Sequence, residues 1–146
     1  MNITTTRFGD IEVPEERMFA FPEGIPGFPE FKSAALLNAV DAEELASVEG
    51  SEKLFFLQSV ADPDLAFLCM DPFSAFSEYE VDIDESALDI ETSTEALVLT
   101  IMTVSDEDAL QTVNLRAPII ANTRTRRAAQ VVLADPRWSV TQQLEA

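Results

Sequence analysis

Apolar and polar residues alternate along much of this chain with the period of β-strands. At the start, Ile3, Thr5 and Arg7 alternate with Asn2, Thr4 and Thr6, a weak strand signal strengthened by β-branched residues. Gly9-Asp10 is a turn, Ile11 and Val13 flank Glu12, and Pro14 breaks the pattern, so the first 13 residues predict a hairpin. Residues 34–40 form an apolar run too short for periodicity to decide between helix and strand. Asp41 and Glu44 have capping-box spacing, Leu45 and Val48 supply a small apolar face, and Gly50 is the stop, which predicts a short helix. Residues 54–59 and 65–70 are dense apolar runs joined by Asp62-Pro63-Asp64 and predict a buried antiparallel hairpin. Asp71 can cap a short helix with Pro72 in its first position, placing Phe73 and Phe76 on one side. From Glu78 to Glu85, Tyr79, Val81 and Ile83 alternate with acids, predicting a strand with one apolar and one carboxylate face. Ser86 to Leu88 can begin a helical turn. Residues 96–104 are the longest apolar run, and their β-branched content predicts a central strand covered on both faces. Asp106-Glu107-Asp108 reads as a hairpin tip, followed by strands over 111–115, 117–121 and 128–133 with a turn near Asn122-Thr123. Asp135-Pro136 stops the last strand, Trp138 folds back on the core, and residues 142–146 fray.

The densest punctuation is Phe21-Pro22-Glu23-Gly24-Ile25-Pro26-Gly27-Phe28. It uses half of the chain's four glycines, and its prolines cannot sit inside a helix or a central strand. With Phe19 and Phe31 beside it, the stretch is too apolar for a solvated linker. It predicts a compact turn whose phenyl rings plug the end of a core. Eight to ten short strands, with turn signals every 8–12 residues and no βαβ rhythm, predict an all-β fold. The expectation is one small barrel or sandwich of mostly antiparallel strands with one or two short helices, spanning residues 1–146 as one domain.

Composition narrows the function. No run approaches the ~20 apolar residues of a membrane helix, and the first residues lack a signal-peptide layout. The single cysteine, Cys69, cannot form an internal disulfide and, with no base nearby, reads as a small core hydrophobe. The cytoplasm is the expected compartment. Twenty-seven acidic residues against nine basic ones give a net charge of −18, which disfavours nucleic acid and anionic membranes and favours basic proteins. Between Lys32 and Arg116 the only basic residue is Lys53. Arg124, Arg126 and Arg127 are expected to project from a hairpin and pair with this acidic block. Histidine is absent, which removes the commonest general base and metal ligand and rules out a Ser-His-Asp or Cys-His nucleophile within the chain. Asp82-Ile83-Asp84-Glu85-Ser86-Ala87 lacks the glycine of a calcium-binding EF-hand loop. No cofactor is expected. An enzyme built on paired carboxylates stays open as an alternative and would need a cleft holding two carboxyls.

Four pieces in order carry a resemblance: the stretch 21–28, then Leu57-Gln58-Ser59, then Ala66-Phe67 running into Asp71-Pro72, then Asn114-Leu115-Arg116-Ala117-Pro118-Ile119. The chain from about Phe8 to Trp138 resembles the flagellar assembly factor FliW family. The resemblance implies a small β-barrel-like, non-enzymatic protein that sequesters the RNA-binding translational repressor CsrA and also binds flagellin. FliW held by flagellin leaves CsrA free to repress flagellin translation, and flagellin export releases FliW to sequester CsrA. A monomer is expected when neither partner is bound. A flagellin export chaperone without a CsrA role is the alternative. Charge and pattern, not the family, nominate the partner-binding residues: Glu78, Glu80, Asp82, Asp84, Glu85, Asp106, Glu107 and Asp108 as the carboxylate face, with Phe73 and Phe76 as an apolar anchor. The competing role for the two phenylalanines is the core.

Overall fold

The computed structural model describes residues 1–42, 51–81, 88, 90, 95–104 and 111–143. Eleven strands appear there in chain order: β1 (Asn2–Thr5), β2 (Gly9–Glu12), β3 (Met18–Ala20), β4 (Ser33–Asn38), β5 (Leu54–Ser59), β6 (Ala66–Met70), β7 (Ala96–Val104), β8 (Gln111–Val113), β9 (Ile119–Asn122), β10 (Arg127–Gln130) and β11 (Gln142–Gln143). Seven close on themselves in the order β7-β6-β5-β4-β3-β10-β9, because β9 also pairs with β7. The architecture is therefore a barrel. All of its pairings are antiparallel except β10 with β3, which meet only at Arg127 and Ala20. β1 and β2 form the predicted hairpin in Asn2↔Glu12 to Thr5↔Gly9 register, and residues 34–38 resolve as strand.

Alternation along the strands sorts side chains into two sets. Phe19, Ala34, Leu36, Leu57, Cys69, Leu99, Ile119, Ala121 and Ala128 make one core, and Phe21, Ile25 and Phe31 of the Pro/Gly-rich turn join it. The turn is thus the expected plug. The rings of Phe21 and Phe31 meet edge-on with centroids 5.2 Å apart, and Phe31 meets Phe67 at 5.3 Å. Gly24 (φ +69°) is required there, since a Cβ would stand 2.8 Å from the Pro29 carbonyl oxygen. The opposite faces of the strands carry separate apolar clusters. Ile3 and Val13 of the N-terminal hairpin cover Ala35. Ala39 and Ala42 cover Phe56, and Tyr79 and Leu133 pack with Met70 and Met102. This double covering explains why β5, β6 and β7 read as apolar runs.

β7 is central, as its composition predicts. One edge pairs with β6, while the other is shared by β9 at 96–99 and β8 at 102–104. The chain therefore has to turn a corner between β8 and β9. Asn114 does this: its Oδ1 accepts from the backbone N–H of Arg116 (3.2 Å) and of Ala117 (3.0 Å). Two expectations are met differently, and a third is not reached. The segment 78–81 is unpaired and not a strand, although it alternates exposed and buried residues. Gln142 and Gln143 are not frayed but pair with Val113 and Thr112. The helix expected from Asp41 to Gly50 falls, beyond residue 42, outside the described residues.

Candidate functional site

The predicted surface begins where β6 ends. Asp71 caps the short 3-10 turn Pro72–Ser74 as expected, its Oδ1 accepting from the Phe73 N–H at 2.9 Å with Pro72 in the first turn. The geometry then separates the two phenylalanines. Phe73 is 48% exposed, whereas Phe76 is half-buried against the Met70/Tyr79/Met102 cluster. A helix of one short turn cannot hold an i, i+3 stripe on one face. Phe73 is the exposed apolar residue of the pair and Phe76 belongs largely to the core.

From Phe73 an aromatic chain runs across the surface. Its ring tilts on Tyr79 at 5.7 Å, and Tyr79 meets Trp138 edge-on at 4.9 Å. The Tyr79 hydroxyl donates to the Leu115 carbonyl, and burial pushes its pKa up to about 12. The Arg137 guanidinium lies 4.7 Å over the Trp138 ring and contacts Asp135 at 2.9 Å and Glu80 at 3.7 Å. The Arg137 backbone N–H, with the guanidinium behind it, holds the Asp135 carboxyl below its ordinary range. That favours a carboxylate kept ionised, the opposite of what a general acid needs.

Glu78 and Glu80 are both exposed while Tyr79 turns inward and Val81 is half-buried. The carboxylate face predicted for this segment therefore exists over its described part, without the strand pairing. Asp82, Asp84, Glu85, Asp106, Glu107 and Asp108 lie outside the described residues. Of the basic cluster, Arg124 pairs with Glu95 at 3.2 Å, an acid of the block it was expected to meet. Among the described residues no group of three or more carboxylate or thiol side chains could hold a metal. Burial pushes the Cys69 thiol upward, away from reactivity.

Two concave features were not anticipated. One groove of about 630 Å³ is lined by Glu80, Val132, Leu133, Asp135, Arg137 and Trp138, and Val132 beside it is 70% exposed. The sequence hides this, because Val131-Val132-Leu133 is an unbroken apolar run at the end of the expected strand 128–133. The other, of about 390 Å³, lies between the Pro/Gly-rich turn and the β5–β6 turn, where Phe28, Phe31, Ala61 and Leu65 line it. Phe28 is half-exposed there. Gln58 anchors its far wall, its buried amide donating to the carbonyls of Ser59, Asp62, Pro63 and Leu65.

No helix among the described residues is long and apolar enough to cross a membrane. Comparison with known proteins supplies the family. The model of the FliW protein family matches residues 2–144. The chain is similar to the flagellar assembly factor FliW of Heliobacterium modesticaldum, with 37% identity over 99% of this chain and 90% of the relative. It is similar to that of Bacillus subtilis, again at 37%, over 95% of this chain and 93% of the relative. A crystal structure of the flagellar assembly factor FliW superposes with a TM-score of 0.82 at 34% identity, covering 100% of this chain and 98% of the other. With barrel, plug and whole-chain likeness in agreement, this chain belongs to the FliW family of flagellar assembly factors.

Proposed function

We propose that this FliW-family chain works by protein binding in the cytoplasm, without catalysis or cofactor. It sequesters the RNA-binding repressor CsrA, which relieves repression of flagellin translation, and it binds flagellin in a partner switch. The observation that supports this most is a family member with net charge −18 that exposes Phe73, whose ring meets Tyr79 at 5.7 Å, and exposes Glu78 and Glu80 on either side of that tyrosine. A surface that binds RNA is basic because it neutralises phosphates. An acidic partner is steered to it, and once docked its carboxylates repel RNA. Phe73 supplies an apolar anchor beside those carboxylates. Flagellin competes for the free protein, so flagellin export releases it, as a monomer, to hold the repressor.

Calorimetric titration of CsrA and of flagellin at two salt concentrations tests this. Wild type is expected to bind both, and replacing Glu78, Glu80 and Asp82 by Lys is expected to weaken CsrA binding and flatten its salt dependence. Unchanged affinity and slope would remove this face from the interface. Flagellin binding that is insensitive to salt, with no CsrA binding, would identify an export chaperone instead. Silence toward both proteins at low ionic strength would overturn the reading.

A further inference from the structure

Beyond β10 the chain continues along the segment that precedes β9. Val131 N–H donates to the Pro118 carbonyl at 2.9 Å and Leu133 N–H to the Arg116 carbonyl at 2.7 Å. In an antiparallel ladder alternate residues point their backbone groups to opposite sides. Val132 and Ala134 therefore aim their N–H and C=O groups away from the barrel. Among the described residues neither makes a backbone hydrogen bond, and both are exposed. Among the described residues this is an open strand edge, and the groove of Glu80, Leu133, Arg137 and Trp138 runs beside it.

Natural proteins guard such edges because they template pairing with another chain. Here the guard is partial. Pro136 ends the edge, but the exposed Val132 side chain carries no charge. We propose that this edge receives an extended segment of a partner protein as an added strand, one in which basic residues alternate with apolar ones. The unpaired N–H and C=O groups call for an extended backbone. The groove takes an apolar side chain against Trp138 and Leu133. Charge selects basic residues: Asp135 is already engaged by Arg137 and lies in the field of Arg116, which leaves Glu80, 81% exposed and only loosely approached by Arg137 at 3.7 Å, to meet a cation of the incoming strand within the field of a chain of net charge −18. A second copy of this chain is disfavoured at the edge, because it would bring its own net charge of −18. The groove borders the acidic face of the proposed function through Glu80, but the strand edge itself belongs to neither assigned partner.

An eight-residue synthetic peptide alternating lysine and valine is the probe, read by hydrogen exchange with mass spectrometry on the whole protein. With peptide at saturation, exchange at the amides of Val132 and Ala134 is expected to slow by about tenfold or more. Val132→Pro removes one outward N–H at a position already extended and should weaken the peptide by about tenfold, with circular dichroism reporting whether the barrel is intact. Should that variant not fold, Glu80→Lys is the second arm and should lower affinity and flatten its salt dependence. The proposal is overturned if the peptide does not bind or leaves both amides exchanging as before. It is equally overturned if they are already protected in the free protein in a concentration-dependent way, which would place a second copy on the edge. Because the probe contains neither CsrA nor flagellin, its result does not decide the partner-switch reading.

Discussion

Tyr79 and Trp138 are the chain's single tyrosine and single tryptophan, and they stand 4.9 Å apart, so spectroscopy reads this surface without interference. The neutral phenol is favoured in the fold, since burial raises its pKa from the ordinary value near 10 to about 12. The stability it contributes is therefore fully present below about pH 10 and is lost as pH rises toward about 12. Tyrosinate absorbance in a pH titration should appear near pH 12 in the folded protein and near 10 in denaturant. A single titration at the lower value in both would contradict the buried hydroxyl. Tyr79→Phe leaves the Leu115 carbonyl without its donor and should cost about 1 kcal/mol in denaturant unfolding. The two turn glycines make a second residue-scale test. Gly24→Ala combines a positive φ with a 2.8 Å approach to backbone and should destabilise by about 2–4 kcal/mol. Gly27→Ala, with φ +87° and open space around it, should cost only about 1 kcal/mol. Equal losses would show that packing against Pro29 does not set the need for glycine.

At the scale of elements, the β8–β9 corner depends on one side chain. Asn114→Ala would leave the N–H groups of Arg116 and Ala117 without their acceptor, and should cost about 1–2 kcal/mol in denaturant unfolding. Hydrogen exchange should then accelerate at those two amides before it does in β7. Uniform acceleration across the sheet would mean that the corner has no local role. This corner also shows what could be read from the chain and what could not. The strands were legible because their signals are local: alternation in β1 and β2, double-faced apolar runs in β5, β6 and β7, and Asp71-Pro72 as a cap. Barrel closure was not legible, because it rests on β9 returning to the edge of β7 and on one parallel contact between Ala20 and Arg127, pairings that no local pattern encodes. Segment 78–81 shows the converse error. Its period-2 pattern is real, with Tyr79 inward and Glu78 and Glu80 outward, but alternation reports which side is buried, not whether a neighbouring strand is present. Of the candidate site, the outward Glu78 and Glu80 were visible in the alternation of segment 78–81, whereas the separation of an exposed Phe73 from a half-buried Phe76 was not. Val132 was not, because exposure at the end of a barrel is decided by where the neighbouring strand stops.

The molecule as a whole is organised by two demands that oppose each other. An interior core of Phe19, Phe21, Leu99 and Ile119, clad by further apolar clusters, stabilises the barrel through burial. A net charge of −18 on 146 residues acts against compactness through self-repulsion, and an ion pair such as Arg137–Asp135 involves exposed side chains whose individual worth is small. Self-repulsion between exposed charges is screened over about 10 Å at 0.1 M salt and about 3 Å at 1 M. Raising sodium chloride between those concentrations should therefore raise the melting temperature, whereas a protein held mainly by surface ion pairs would lose stability over the same range. Glu78→Lys with Glu80→Lys changes net charge from −18 to about −14 and relieves part of the repulsion without touching the core. The double variant should melt higher than wild type at low salt and converge with it at 1 M. A constant offset at both salts would mean that these carboxylates act through local contacts, and the acidic face could not then be counted as a long-range field available to a basic partner.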